Sequence, residues 1–418
     1  MVILYDIGIF AYHYSIFIAS FFHKKAKSWI AGRKNIFEKL EAVIPGNENL
    51  VWVHCASLGE FEQGRPIIEK IKSLQPGTKI LLTFFSPSGY EIRKDYSEAD
   101  YIFYLPIDTQ ANARQFINIT KPRIAVFIKY EFWYHYLNQL HKNNIPTYIA
   151  SAIFRKEQHF FKWYGDWWRS ILKNITHIFV QNQRALELLK GINLSNISLS
   201  GDTRFDRVIE ISQQKKSIPS IEQFKNNHLV LIAGSTWPED EVMLIEFINS
   251  NEKPMKFIIA PHEIEEAKIE RLEKSFSAKN CIRFSQASKE TLKEAQVLII
   301  DNIGMLSSLY QYAEIAYIGG GFGKGIHNIL EAAVYGMPVI FGPNYHKFNE
   351  AVDLIERGGA FSINNHHEFC SKIDLMLFNN YTLKIAAEIT KNYVREQQGA
   401  TEKILDFIYK NSTQSKAS

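Results

Sequence analysis

The stretch 51–60, VWVHCASLGE, places a carboxylate where chemistry could take place. Its branched and aromatic start predicts a buried β-strand, and a helical pattern begins around Glu60. Ligands of open α/β sheets bind beyond the carboxyl ends of the strands, which is where Glu60 is expected. A carboxylate at that place can act as a general base. The alternative is that Glu60 only complements the dipole of the helix beside it.

A glycine-rich stretch, 318–343, is the second candidate for chemistry. Five glycines between positions 319 and 325 follow a strand pattern and precede a helical one. Such a turn lets the backbone approach a ligand, and the start of a helix offers free N–H groups to a phosphate. Glu331 lies one turn into that helix, where its carboxylate can accept from ribose hydroxyls. Neither the dinucleotide fingerprint nor the P-loop pattern is matched, so a turn without a ligand is the alternative.

Other polar loops follow predicted strands of the same half. Several loops at one edge of a parallel sheet favour a nucleotide-sized ligand more than any one loop does. Helix capping by the hydroxyls and a structural role for the histidine are the alternatives. The residues of these loops are Ser235 and Thr236, Pro261 and His262, and Gly304, Met305 and Leu306.

Two charged residues follow strands of the first half. Glu131, in KYEFW, either faces a cleft between the halves or is a helix-start carboxylate. Arg204, in GDTRFD, either meets a phosphate or carboxylate or forms a weak surface pair with Asp206. The chain contains no H-E-x-x-H, G-x-S-x-G or paired-acid motif, so we expect no metal requirement.

Strand and helix patterns alternate in two series, which predicts two doubly wound lobes with parallel sheets. A polar stretch with little strand pattern, 208–227, is interpreted as the linker between them. The strands are predicted at 50–55, 79–85, 101–106, 124–128, 146–150, 177–181 and 197–201, and then at 229–236, 256–263, 296–301, 315–321 and 337–342.

The first 22 residues are strongly apolar, and five Lys or Arg with no acid follow at 23–34. A signal peptide has its basic residues first, so this order favours a membrane-attached helix whose basic flank stays cytoplasmic. Spanning and monotopic attachment both remain open, and the alternative is a helix packed on the protein's own domain. The predicted domains are a membrane-attachment segment at 1–34, an acceptor-binding lobe at 35–207, the linker at 208–227 and a donor-binding lobe at 228–410. The C-terminal helix is expected to pack back on the first lobe.

Composition narrows the class of protein. A chain of 418 residues suggests two domains, and its net charge of +4 gives no case for nucleic acid. Cys55, Cys281 and Cys370 form no C-x-x-C pair, which favours a reducing compartment and no zinc site.

Six blocks in order resemble the 3-deoxy-D-manno-octulosonic acid (Kdo) transferases of lipopolysaccharide assembly. The resemblance covers nearly the whole chain. It implies a GT-B fold of two Rossmann-like lobes facing a cleft, without a cofactor. It also implies inverting transfer of Kdo from CMP-Kdo to a lipid A precursor of the lipid IVA type, at the cytoplasmic face of the inner membrane. The blocks are HCASLGE (54–60), YEFW (130–133), GDTRFD (201–206), AGST (233–236), APHE (260–263) and HNILEAA (327–333).

The resemblance also implies roles for single residues. Glu60 is the expected general base, Arg204 stands where the family usually has a transition-state lysine, and Glu131 completes the catalytic set. The expected substrate-binding residues come from the loops above and from the two strongest blocks. They are Ser57, Gly59, Ser235, Thr236, Pro261, His262, Gly304, Met305, Leu306, Gly320, Gly321, His327, Asn328, Ile329, Leu330 and Glu331.

The chain departs from the family pattern in three places. Lys129 replaces a supporting glutamate, an arginine is missing between Pro261 and His262, and Ile326 stands in a shortened glycine loop. These departures keep two alternatives open. One is a GT-B transferase or epimerase using a UDP-sugar, and the other is a non-catalytic, membrane-attached nucleotide-binding module.

Overall fold

The computed structural model describes residues 1–214, 217–276 and 278–414. It divides into two compact units, the first formed by residues 1–207 with the C-terminal stretch from 398, and the second by residues 208–397. The stretch 208–227 contains the end of one helix and all of the next, with residues 215 and 216 outside the described ranges.

The first unit has a seven-stranded parallel sheet in the order β3-β2-β1-β4-β5-β6-β7. Apolar residues fill both faces, because alternate side chains of each strand point to opposite sides of the sheet. The strands are β1 Leu50–Cys55, β2 Lys79–Phe84, β3 Tyr101–Tyr104, β4 Ile124–Ile128, β5 Thr147–Ala152, β6 His177–Val180 and β7 Ile197–Leu199.

The second unit has another seven-stranded parallel sheet, in the order β10-β11-β9-β8-β12-β13-β14. The prediction of two doubly wound α/β lobes is therefore confirmed. The strands are β8 Leu229–Thr236, β9 Met255–Pro261, β10 Cys281–Arg283, β11 Val297–Ile299, β12 Ile315–Ile318, β13 Val339–Phe341 and β14 Ala360–Ser362. The sequence did not predict β10 and β14, which are short strands with only one buried residue each and so lack a clear apolar run.

Helices connect the strands on both faces of each sheet. In the first unit they are α1 Val2–Ala19, α2 Lys24–Gly32, α3 Ile36–Val43, α4 Leu58–Leu74, α5 Pro87–Arg93, α6 Gln110–Thr120, α7 Tyr134–Lys142, α8 Asp166–Lys173, α9 Gln183–Lys190 and α10 Thr203–Gln213. They continue with α11 Pro219–Lys225, α12 Pro238–Ser250, α13 Glu266–Ser275, α14 Lys289–Glu294, α15 Leu306–Leu309, α16 Leu330–Ala333, α17 Asn349–Arg357, α18 His366–Phe378, α19 Asn380–Glu396 and α20 Ala400–Gln414.

The last helix, α20, belongs to the first unit. Its residues Ile404, Leu405 and Ile408 pack into the core on the α4 side of the first sheet. Asp206 fixes the start of α20 by accepting hydrogen bonds from the backbone N–H groups of Gly399 (2.6 Å) and Thr401 (2.7 Å).

The N-terminal helix α1 lies against the first unit but buries none of its residues. The Tyr5 hydroxyl donates to Asp108 Oδ2 (2.5 Å), and Asp6 Oδ1 lies 2.6 Å from His135 Nε2. Of the helices in the described residues, α1 is long and apolar enough to cross a membrane, with a mean hydropathy of 1.5. Length and composition alone do not separate a spanning helix from one lying on a surface.

Candidate active site

Strand order places the candidate residues at the switch point of each sheet. In the first unit the chain order reverses between β1 and β4, and Glu60 and Glu131 follow these two strands. In the second unit it reverses between β8, which contains Ser235 near its end, and β12, which leads into the glycine turn at 319–325. Open α/β sheets bind ligands at such points.

Glu60 lies in the first turn of α4, with only 6% of its surface exposed. The hydroxyl of Ser57, the residue before the helix, donates a hydrogen bond to Glu60 Oε2. Gly59 is exposed beside it. Burial and then the charges of Glu60 and Glu131 raise the pKa of Tyr130, which places both carboxylates near this phenol. A carboxylate that is almost fully buried, and that accepts a hydrogen bond from a hydroxyl on one oxygen, can accept a proton on its other oxygen.

Glu131 is held by two ring systems and is 8% exposed. Trp133 Nε1 donates to Glu131 Oε2 (2.8 Å), and His54 Nε2 lies 3.7 Å from the same oxygen. The preceding Lys129 has a φ of 74°, a left-handed conformation that is uncommon for a residue with a side chain.

A buried hydroxyl sets the orientation of His54. Trp52 Nε1 donates to Thr83 Oγ1 (2.8 Å), which lies 2.9 Å from His54 Nδ1. If the Thr83 hydroxyl donates to Nδ1, His54 carries its proton on Nε2, the nitrogen that lies 3.7 Å from Glu131 Oε2. No role had been predicted for His54 or Thr83, although His54 opens one of the recognised blocks.

Arg204 pairs with Asp202. Its Nε and Nη2 donate to Asp202 Oδ2 at 2.9 and 2.8 Å. Burial raises the pKa of Asp202, but the charge and hydrogen bonds of Arg204 outweigh burial and hold that pKa below its usual value. Asp206, the partner in the alternative prediction, accepts from the backbone N–H groups at the start of α20.

Gln63 connects this pair to the helix that carries Glu60. Gln63 Nε2 donates to Asp202 Oδ1 (3.1 Å), and the Thr203 hydroxyl donates to the Gln63 carbonyl (2.6 Å). Positions 60 and 63 share one face of α4. Gln63 therefore joins the Arg204–Asp202 pair to the helix that carries Glu60.

In the second unit, Asp240 ties the end of β8 to the glycine turn. It accepts from the backbone N–H groups of Trp237 and Gly320 (both 2.9 Å) and from the Tyr317 hydroxyl (2.6 Å). Asp240 is almost fully buried. The sequence had shown it only as part of an acidic helix start.

The glycine turn is glycine-rich mainly because backbones cross there. A Cβ on Gly319 would lie 2.2 Å from the Ser235 carbonyl oxygen, and one on Gly321 would lie 2.5 Å from the Gly342 nitrogen. Gly320 has a φ of 89° and needs the freedom of glycine. The helix predicted after the turn, α16, has only four residues and begins at Leu330. Its N-terminus is therefore a weaker phosphate-binding site than predicted.

Three rings stack at the ends of β8 and β9. His262 lies 4.6 Å from Trp237 and 4.4 Å from His327 between ring centroids, and Trp237 Nε1 donates to His327 Nε2 (2.9 Å). Burial, and then the charge of His262, lower the pKa of His327 to about 4, so this ring is neutral at physiological pH. Trp237 was not among the predicted residues.

The other predicted donor residues differ in what they offer. The Thr236 hydroxyl is buried and donates to Glu241 Oε1 (3.0 Å). Asn328 Nδ2 donates to Glu331 Oε1 (3.1 Å). Ile329 and Leu330 are fully buried, backbone included.

The remaining loops lie at strand ends. Gly304, with a φ of 93°, and Met305 precede α15. Pro261 ends β9 and lines a cavity of about 230 Å³, together with Thr236 and Trp237. Within the described ranges, no group of three or more His, Cys, Asp or Glu is placed to hold a metal ion.

The chain is similar in sequence to known proteins over most of its length. Residues 32–207 match the family model described as 3-deoxy-D-manno-octulosonic-acid transferase (kdotransferase). The chain is 30% identical over 386 residues to the 3-deoxy-D-manno-octulosonic acid transferase of Aquifex aeolicus, covering 89% of this chain and 99% of that protein. It is 27% identical to the Rickettsia typhi transferase of the same name, covering 92% and 85%.

Solved structures show the same fold at low identity. UDP-GlcNAc 2-epimerase from Neisseria meningitidis bound to UDP-GlcNAc superposes with a TM-score of 0.61 at 14% identity, covering 86% of this chain and all of that one. Acinetobacter baumannii MurG gives 0.54 at 13% identity, covering 87% and 99%. These likenesses concern the fold alone, and they confirm the predicted GT-B type.

Proposed function

Because the chain belongs to the 3-deoxy-D-manno-octulosonic acid (Kdo) transferase family, we propose that it transfers Kdo from CMP-Kdo to a lipid A precursor of the lipid IVA type. Glu60 is the general base of this proposal. The observation that carries the assignment is the place of Glu60, nearly buried in the first turn of α4 beyond a central strand, with Ser57 on one carboxylate oxygen.

In the proposed reaction, Glu60 takes the proton of an acceptor sugar hydroxyl. The hydroxyl oxygen attacks the anomeric carbon of Kdo while the bond from that carbon to the phosphate oxygen of CMP breaks. CMP leaves with the bonding electrons, and attack from the opposite side inverts the configuration. Ser57 holds Oε2, which leaves Oε1 to receive the proton.

Two charged groups support the transition state in this proposal. Arg204, fixed by Asp202, offers a cation to the developing negative charge of the leaving phosphate. Glu131, fixed by a hydrogen bond from Trp133, takes the supporting role that Lys129 cannot take with its opposite charge.

The donor nucleotide is assigned to the second unit. Its switch point carries the backbone turn around Gly320 and Gly321, the loop at Ser235 and Thr236, and the His262–His327 ring stack. Backbone N–H groups and neutral rings can hold a nucleotide phosphate and base. In this proposal Asn328 and Glu331, which are hydrogen-bonded to each other, bind the ribose hydroxyls.

Membrane attachment through α1 completes the proposal. The acceptor is an amphiphile that resides in a bilayer, and α1 offers an unburied apolar surface beside the first unit. Basic residues at 24–34 suit the anionic cytoplasmic leaflet of the inner membrane.

The test is a transfer assay with CMP-Kdo and a lipid A precursor, comparing wild type with Glu60→Gln. We expect kcat/KM to fall by about 10²–10⁴-fold, the range for losing a general base. Glu62→Gln is the matched control, since Glu62 lies two residues along the same helix and pairs with Arg93 instead. Its activity should be nearly unchanged. Turnover by Glu60→Gln at the wild-type rate, with CMP still bound, would remove Glu60 as the base.

A further inference from the structure

The connection between β5 and β6, residues 153–176, carries a second exposed apolar surface. Seven of its 24 residues are Phe, Tyr or Trp. Trp163 is 90% exposed and Tyr164 is 46% exposed, next to each other in a turn. We call residues 162–165 the aromatic turn. A tryptophan removes roughly 150–250 Å² of surface from water when something covers it, so this exposure points to a partner.

The aromatic turn is held by hydrogen bonds from its own surroundings. The Gly165 N–H donates to the Lys162 carbonyl (3.0 Å), and Arg169 Nη1 donates to the Phe160 (3.0 Å) and Lys162 (3.3 Å) carbonyls. A Cβ at Gly165 would lie 2.3 Å from the His159 carbonyl oxygen, so the turn requires glycine there. These hydrogen bonds fix the backbone of the aromatic turn, and the Trp163 side chain is exposed to solvent on it.

The segment that carries the aromatic turn contacts α1 through Trp167. Trp167, at the start of α8, contacts Tyr5 of α1 (5.7 Å between ring centroids) and Tyr134 (5.1 Å). The other side of α1 exposes Ile3, Leu4 and Ile7 to solvent. One aromatic contact therefore joins α1 to the segment that carries the aromatic turn, within the same unit.

Charge on the segment suits an anionic surface. Five Lys or Arg stand against two acids in residues 153–176. One of the acids, Asp166, is paired with Arg169. Arg155, Lys156 and Lys162 flank the exposed rings in sequence. Tryptophan and tyrosine beside basic residues are typical of protein segments at the headgroup level of a bilayer.

We propose that the aromatic turn inserts Trp163 and Tyr164 into the interfacial region of an anionic bilayer, as a second membrane contact beside α1. The inference rests on the membrane attachment in the proposed function, and not on its reaction or its catalytic base. Two contacts fix the rotation of the first unit about α1, so Glu60 keeps a constant orientation to an acceptor held in the lipid.

The experiment measures binding of the full-length protein to vesicles of phosphatidylethanolamine and phosphatidylglycerol. We expect the double variant Trp163→Ser, Tyr164→Ser to partition about tenfold more weakly than wild type. Phe378→Ser is the matched control, since Phe378 is 82% exposed but lies in the second unit. Its partitioning should not change. Brominated lipid should quench part of the wild-type tryptophan fluorescence, and that part should be lost in Trp163→Phe.

Equal partitioning of the double variant and wild type, or equal bromolipid quenching of Trp163→Phe and wild type, would overturn the inference. So would a change in oligomeric mass in detergent without a change in vesicle binding, because a second copy of the chain would then cover the turn. Transfer to a detergent-dispersed acceptor separates the two proposals. An inactive wild type that still binds vesicles through Trp163 refutes only the reaction, whereas an active wild type that binds without Trp163 refutes only the inference.

Discussion

Replacing Asp240 by asparagine tests whether one buried carboxylate holds the glycine turn of the second unit in place. The carboxylate accepts three hydrogen bonds, from the Trp237 and Gly320 backbones and from the Tyr317 hydroxyl. In Asp240→Asn, the amide nitrogen replaces Oδ1 or Oδ2 and faces a donor instead of accepting from it. A buried group left without its partner costs about 1–3 kcal/mol, and a hydrogen bond to a charged group contributes about 1.5–3 kcal/mol. We therefore expect a loss of about 3 kcal/mol.

Tyr317→Phe separates one of the three bonds from the others. This change removes the phenol hydroxyl and leaves both backbone donors paired, so we expect a loss of about 1.5 kcal/mol. If the hydroxyl acts through Asp240, the two changes should couple by about 1 kcal/mol in a double-mutant cycle.

Calorimetry of the full chain measures these losses. If CMP binds the second unit as proposed, the transition of that unit is the one that CMP shifts upwards, since a ligand stabilises the unit that binds it. For a domain of roughly 150–250 residues, 1 kcal/mol corresponds to about 2–4 °C, so Asp240→Asn should lower that Tm by about 6–12 °C. Asp353→Asn is the matched control, because Asp353 accepts from a tyrosine hydroxyl (Tyr393, 2.8 Å) in the same unit but holds no part of the glycine turn.

The reasoning fails if Asp240→Asn costs no more than Asp353→Asn. It also fails if the effects of Asp240→Asn and Tyr317→Phe add within about 0.3–0.5 kcal/mol, the usual tolerance for independent sites. A weaker CMP shift in Asp240→Asn than in Asp353→Asn would further connect the carboxylate to donor binding.

Three more measurements follow from the site. Thr83→Val removes the hydroxyl that contacts His54 Nδ1. We expect kcat to fall about tenfold with KM nearly unchanged, as for a small misplacement of a catalytic group. An unchanged kcat would contradict the idea that this hydroxyl positions His54. Asp202 has a lowered pKa in the folded state, so its stabilisation is present above the unfolded pKa of about 3.9 and is lost as pH falls below it. Arg204→Met should therefore move acid unfolding, followed by circular dichroism, to a higher pH than Arg204→Lys does. His327 has a pKa of about 4 in the folded protein, whereas an unfolded histidine has a pKa of about 6.5. Unfolding therefore takes up a proton between these two pH values, and the stability of the wild type falls as the pH is lowered from about 6.5 to 4. In urea titrations, His327→Gln should lose less stability than the wild type over that interval.

Sequence patterns predicted most of the fold because the central strands are long and apolar. Strand β8 spans eight residues, and its predicted bounds, 229–236, agree with the structure. Strand β12, predicted at 315–321, ends at Ile318 because Gly319 turns to cross the Ser235 backbone. Such a crossing depends on a strand 80 residues away in sequence and leaves no local signal.

For the candidate site, the sequence predicted the residues at the strand ends but not what holds them. Asp202 stands inside a recognised block, yet its bond to Gln63 joins positions 139 residues apart. Trp237 and Asp240 carried one usable signal. The sequence Trp-Pro-Glu-Asp after a strand is typical of a helix start in which the third helical residue, here Asp240, accepts a hydrogen bond from the backbone N–H of the residue before the helix. This capping geometry is observed.

The substitution of Lys129 bears most directly on how this chain carries out its reaction. Lys129 has a left-handed backbone, and its ammonium lies 5.1 Å from the centre of the Tyr130 ring. The following carboxylate, Glu131, is fixed by Trp133 and approached by His54. A carboxylate with two ring partners already in place needs little reorganisation to act electrostatically. In the proposed mechanism, Glu131 supplies the negative charge that the family resemblance assigns to a glutamate at position 129. On this argument Glu131→Gln should reduce kcat more than Lys129→Gln does, and the opposite ranking would return the role to position 129.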